Sequence, residues 1–233
     1  MTPEDPPAAA IQAVHDRYQQ EAVEDLNLCP FARRSREQGR VHRPLVYASE
    51  PAPAAAAAHR LREISRAHPD VEVVLITFVL PREADHPWHD VDQFEEVVKA
   101  VREAYEAGEG ARPRYYMVGF HPSPRPPDAR RRPTPESLVP LLRRSPDPVI
   151  QCIRADLLDD LRRQAQVAAD ARFMAEMAKL GPEFRLLAQQ AIQSDPELSA
   201  DIARHNFASV GAGAGRERLE RVLGEILAQR RGL

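Results

Sequence analysis

Residues 71–80, VEVVLITFVL, constrain the fold more than any other stretch of this chain. Apart from one acid, the run is apolar and rich in β-branched side chains, with no polar alternation. A strand with one wet face would alternate, so this one is expected at the centre of a sheet that is covered on both sides. Helical signals flank it. The alanine-rich APAAAAAHRLREISRAH (52–68) has high intrinsic helix propensity, and HPWHDVDQFEEVVKAVREAYEAG (86–108) has Asp90 or Asp92 as N-cap and Gly108 as its stop. RVHRPLVYA (40–48) reads as a strand that Pro44 confines to an edge, and RYYMVGFHP (114–122) as a further buried strand. Strand, helix, strand, helix, strand over residues 41–120 is the pattern of an α/β fold with right-handed crossovers: a small, mostly parallel sheet flanked by helices, with α+β as the alternative.

The remainder is helical. Apolar residues at Ile11, Val14, Tyr18, Ala22 and Leu26 predict one helix over residues 9–28, stopped by Pro30, behind a disordered tail at 1–8. TPESLVPLLRR (134–144) reads as a short helix, and PVIQCIRA (148–155) as a strand or a helix start. Further helices are expected over 156–180, 183–193, 196–205 and 216–230. Residues 9–210 then form one α/β domain, and residues 211–233 a C-terminal helix that packs on it or on a partner subunit, making a homodimer. GAGAGRE (211–217) lacks the preceding strand and the Lys-Ser/Thr ending of a phosphate loop and is expected to be a flexible connection.

Several function classes are excluded on composition. A formal net charge of −3 argues against a general nucleic-acid binder, and the arginine-rich RPPDARRRP (125–133) reads as a solvated loop. No stretch approaches the roughly 20 apolar residues that span a bilayer, so no membrane partner is expected. The acidic, Pro-rich N-terminus is unlike a secretory signal. Cys29 and Cys152 are therefore expected to be reduced thiols in the cytoplasm.

Chemistry concentrates in a few places. Cys29 follows a predicted helix C-terminus, where the dipole disfavours a thiolate, so its activation would need Arg33, Arg34 or a histidine nearby. His121 closes a strand, at the sheet edge where ligands collect in open α/β sheets. His86, His89 and Asp90 leave the preceding strand, and they reach the same edge if the two strands run in one direction. RRSPDP (143–148) offers two guanidiniums and a hydroxyl suited to a carboxylate or phosphate. Cys152 lies in an apolar run and reads as a small hydrophobe.

NLCPFA (27–32), GFHP (119–122), RRSPDP followed by Arg154, and Arg204 with Asn206 together resemble the bacterial family known as domain of unknown function 1415. The resemblance covers residues 10–210 and implies a shared site made of Asn27, Cys29, His121, Arg144, Ser145, Arg154 and Asn206. Two departures stand out: Gln151 occupies a position where the family usually has histidine, and the segment after His121-Pro122 is Pro- and Arg-rich. Three readings follow for a small-molecule substrate. In the first, Cys29 and His121 hold haem or another metal in an oxidoreductase, since Cys-Pro recurs as a way to present an axial thiolate. In the second, Cys29 is the nucleophile and His121 the base of a cofactor-free thiol enzyme, with Arg144 and Arg154 on an anionic substrate. In the third, the same polar set is a non-catalytic module that binds a small anion.

Overall fold

The computed structural model describes residues 5–80, 86–109, 113–123, 134–179 and 198–233. The run 71–80 forms β3 (Val73–Val79), central as its composition requires. On one side it pairs in parallel with β1 (Val41–His42) and β2 (Leu45–Tyr47), two halves of one edge strand broken at Arg43-Pro44. On its other side lies β5 (Val149–Arg154), antiparallel to it, and then β4 (Tyr115–Phe120), antiparallel to β5.

The sheet is thus mixed, with a smaller parallel share than the strand–helix pattern predicts. β4, expected in the interior, is an edge strand among the described residues, and its side chains alternate between buried and half-buried. The strand reading of PVIQCIRA is the one realised. Because β5 runs against both neighbours, β3 and β4 share a direction and deliver their carboxyl ends to one edge.

One face of the sheet carries α3 (Pro53–Ala67) and α4 (Val91–Glu106). Val74, Ile76 and Phe78 of β3 meet Cys152 and Ile150 of β5, Leu61 of α3 and Phe94 and Val98 of α4 in the main core. Asp90 caps α4, accepting the N–H groups of Asp92 and Gln93. A second core lies among helices. It joins α1 (Ala8–Arg17), α5 (Pro135–Leu142), α7 (Leu198–Val210) and α8 (Gly213–Arg231) through Val14, Leu138, Val210, Leu219, Val222, Leu223 and Ile226. Two further helices are α2 (Ala32–Glu37) and the long α6 (Ala155–Ala178).

Three local expectations change. The helix predicted to run on to Leu28 leaves α geometry after Arg17 and continues as a π-helix over Tyr18–Glu24. The glycine-rich connection is a tight corner, with α8 beginning at Gly213. Residues 1–4 of the predicted tail lie outside the described residues, whereas Asp5 accepts a hydrogen bond from Ser49 Oγ (2.6 Å) and α1 begins at Ala8. The helix expected at 183–193 and the loop 125–133 also lie outside the described residues. No helix among those described is long and apolar enough to cross a membrane.

Candidate functional site

The common edge of β3 and β4 gathers the GFHP and RRSPDP segments. The backbone N–H of His121 donates to Arg143 O (2.9 Å), and that of Ser145 donates to His121 O (3.4 Å). Arg144 Nε donates to Pro122 O (3.1 Å). The His121 ring is 3% exposed, with both nitrogens engaged. Nε2–H donates to Trp88 O (2.9 Å), and Nδ1 accepts the Ser123 N–H (3.1 Å). The turn that leaves the preceding strand therefore meets His121, as the shared direction of the strands implies. It does so through Trp88; His86 instead accepts the Trp88 N–H at its own Nδ1.

Beside His121 opens a cavity of about 620 Å³, lined by Val91, Asp92, Phe94, Glu95 and Glu96 from α4 and by Val139, Pro140 and Arg143 on the other wall. Gly119 forms part of its floor. A Cβ at that position would stand 3.0 Å from Glu95 Oε1, so the missing side chain lets a carboxylate lie against the strand. The Arg143 guanidinium is exposed and has no partner among the described residues.

The Cys29 motif joins the π-helix to α2. Asn27 adopts a left-handed conformation (φ 51°) that asparagine tolerates, and the chain then turns through Cys29-Pro30 into α2. Cys29 thus stands before a helix start as well as after a helix end. Burial pushes its thiol above the ordinary value, against the opposing pull of the Phe31 and Ala32 N–H groups at the sulfur. None of the three arginines of α2 (Arg33, Arg34, Arg36) and no histidine contributes to that balance. From α7, Asn206 Nδ2 donates to Leu28 O (3.1 Å), and Asn27 Nδ2 donates to His205 Nε2 (3.3 Å). Asn206 is 4% exposed, and its Oδ1 is buried without a partner.

By their hydrogen bonds the seven residues implied by the resemblance fall into three sets. His121, Arg144 and Ser145 are knitted together at the sheet edge. Asn27, Cys29 and Asn206 form a second group, joined to the first through α5, whose Leu138, Leu141 and Leu142 share a cluster with Leu28 while the next residue, Arg143, holds His121. Arg154 belongs to neither. It pairs in register with Tyr115, at the far end of β5, and binds Asp156 and Pro69 O. Gln151 lies mid-strand opposite Leu75 and Val118, away from both groups.

Sequence reasoning missed a buried carboxylate beside the edge. Asp147, 2% exposed, takes the Nε2–H of His15 (3.0 Å) and the Nε–H of Arg230 (2.8 Å to each oxygen). Each partner sits on an apolar helix stripe, His15 four residues after Ile11 and Arg230 four after Ile226, and that misplacement was the available signal. Among the described residues no group of three or more His, Cys, Asp or Glu side chains is placed to hold a metal ion.

A family model described as "Protein of unknown function (DUF1415)" matches residues 10–184. No curated protein and no solved structure matches the chain.

Proposed function

The chain belongs to the DUF1415 family of proteins of unknown function, and from the geometry of its sheet edge we propose that it binds a small organic molecule in the cavity beside His121. The ligand carries an anionic group at one end and a cationic or hydrogen-bond-donating group at the other. One observation carries this reading: a cavity of ligand size (about 620 Å³) lined by the Arg143 guanidinium, which has no partner among the described residues, and by the carboxylates of Asp92, Glu95 and Glu96. Phe94 and the carbon edge of His121 supply the apolar floor. His121 acts as a fixed wall here, because both ring nitrogens are already committed to backbone groups.

The test is an NMR titration of the protein with amino acids and phosphorylated amino sugars at millimolar concentration. Amide shifts are expected at Gly119, Phe120 and His121. Arg143→Ala and Glu95→Gln should each weaken binding about tenfold, equivalent to about 1.4 kcal/mol. Shifts confined to other residues, no shifts at all, or unchanged binding by Arg143→Ala would remove the reading.

A second reading keeps Cys29 as the nucleophile of a thiol enzyme. Two observations favour it: the pair of N–H groups at the sulfur, and the buried, partnerless Asn206 oxygen beside the Leu28 carbonyl. With the thiol pushed up by burial, alkylation of Cys29 near pH 7 should be slow; fast alkylation would promote this reading over the first. The haem or metal proposal requires a Cys29 thiolate and a free His121 nitrogen. The residues as placed do not fit that requirement, with the Cys29 thiol pushed up by burial and both His121 nitrogens bonded to backbone groups. A Soret band on adding haemin that is lost in Cys29→Ser would restore it.

A further inference from the structure

We propose that Arg230, on α8, is a positioning residue for the His121 cavity: it bridges Asp147 to the end of β3 and so holds in place the loop that leads from Arg143 on the cavity wall. The inference rests on the binding reading above for its functional consequence, though its geometry stands alone.

Arg230 is 7% exposed and spends its guanidinium on two acceptors from different segments. Nε reaches both Asp147 oxygens at 2.8 Å, and Nη2 reaches Asp147 Oδ1 at 2.7 Å and Leu80 O at 3.1 Å. Leu80 directly follows β3 and starts the connection toward Trp88, whose carbonyl holds His121. Asp147 ends the segment that begins with Arg143 on the cavity wall. Within that segment Ser145 Oγ donates to Asp147 O (2.6 Å), Ser145 N–H donates to His121 O, and Arg144 holds Pro122 O. A single side chain from a helix outside the cavity thus fastens that loop to the end of β3. A planar fork suits this task, because it can satisfy a carboxylate and a carbonyl together without rotating.

The third member makes the lock measurable. His15, 2% exposed, donates to the same carboxylate that Arg230 holds. It faces Asp147 from the loop, Arg230 from α8, and Arg43 from the break between β1 and β2. While Arg230 is present, the charge of Asp147 is already matched, and a proton on His15 would add a second buried cation. Without Arg230, Asp147 would draw that proton onto His15.

The experiment uses the full chain, with Arg230→Met and Arg230→Lys, and needs no ligand. Hydrogen exchange of the His121 and Ser145 amides should speed up at least tenfold in Arg230→Met relative to the Ile76 amide in β3, and the His15 ring should titrate at higher pH than in the wild type. Arg230→Lys keeps the charge without the fork, so it should restore the His15 titration and only part of the protection. Exchange at His121 and Ser145 that merely follows Ile76 would overturn the proposal, because the effect would then be global. If Arg230→Met does not fold, the wild type and Arg230→Lys decide. Full amide protection in Arg230→Lys would show that the fork is dispensable. With the lock established, compounds that bind the wild-type cavity should bind Arg230→Met about tenfold more weakly. A lock that is present in a protein binding none of the titrated compounds removes the binding reading alone.

Discussion

Two thiols of the same chemistry illustrate how far environment decides a residue's role. Cys152 is fully buried at the centre of β5, among Val74 and Met117 on the neighbouring strands, and burial pushes its thiol far up. It behaves as a small hydrophobe, as its apolar sequence neighbours imply. Cys152→Ala should therefore cost about 1–2 kcal/mol, read from the urea midpoint, by leaving a small void in a packed core. Ligand-induced shifts at Gly119 and His121 should persist in the variant; their loss in a folded protein would tie Cys152 to the cavity. Cys29 is half-buried and also pushed up, yet its sulfur is met by two backbone amides, which is why it keeps a chemical reading that Cys152 lacks.

At the scale of elements, helix geometry departs from the simple pattern where the chain needs room or a sharp turn. The π-helix brings Gln19 and Glu24, five residues apart, into a 3.1 Å hydrogen bond, and Arg36 of α2 clasps the same carboxylate at 2.7 and 2.8 Å. The corner between α7 and α8 depends on absent side chains. A Cβ on Gly211 would collide with Phe207 O, and one on Gly215 with Ser209 O. Gly224, inside α8, faces open space. One substitution should then have opposite effects within one helix. Gly215→Ala should destabilise by about 2 kcal/mol or more, because the opposing atom is backbone and must move. Gly224→Ala should stabilise by about 0.5–1 kcal/mol through reduced backbone entropy in the unfolded chain. Thermal melts of the pair check both signs, and a stable Gly215→Ala would mean the corner can open.

Across the whole molecule, the His15–Asp147–Arg230 cluster joins the helical core to the sheet, and its protonation sets an acid limit on stability. Burial lowers the His15 pKa from 6.5 against the raising effect of Asp147. Burial alone would raise the Asp147 carboxyl, but hydrogen bonds from His15 and Arg230 outweigh it and leave the pKa lowered from 3.8. Both shifts act in one direction. As pH falls below 6.5, an unfolded His15 takes a proton that the folded one refuses, so stability declines until the folded group also protonates. The contribution of Asp147 is complete above 3.8 and is lost as pH drops through its lower folded value. Each group contributes a slope of up to about 1.4 kcal/mol per pH unit. Urea midpoints between pH 7.5 and pH 5 should therefore fall more steeply for the wild type than for His15→Gln. His42 and His86, also lowered by burial, are common to both proteins and cancel in the difference. Parallel curves would show that His15 protonates equally well folded and unfolded.

The sequence by itself determined the central strand, its α3 and α4 cover, the Pro44 edge break and the capped start of α4, because unbroken apolar runs, propensity and caps act within a few residues. It also placed His121 at a strand end facing the turn from the preceding strand. Only the tertiary structure decided that β5 inserts antiparallel between β3 and β4, since strand order depends on which apolar faces pair across more than seventy residues. That insertion sent Arg154 to the opposite end of the sheet from Ser145. Tertiary packing likewise turned two polar residues on apolar helix stripes into partners of Asp147. A carboxylate in the interior must find its cations wherever the fold brings them, and nothing near it in the sequence names them.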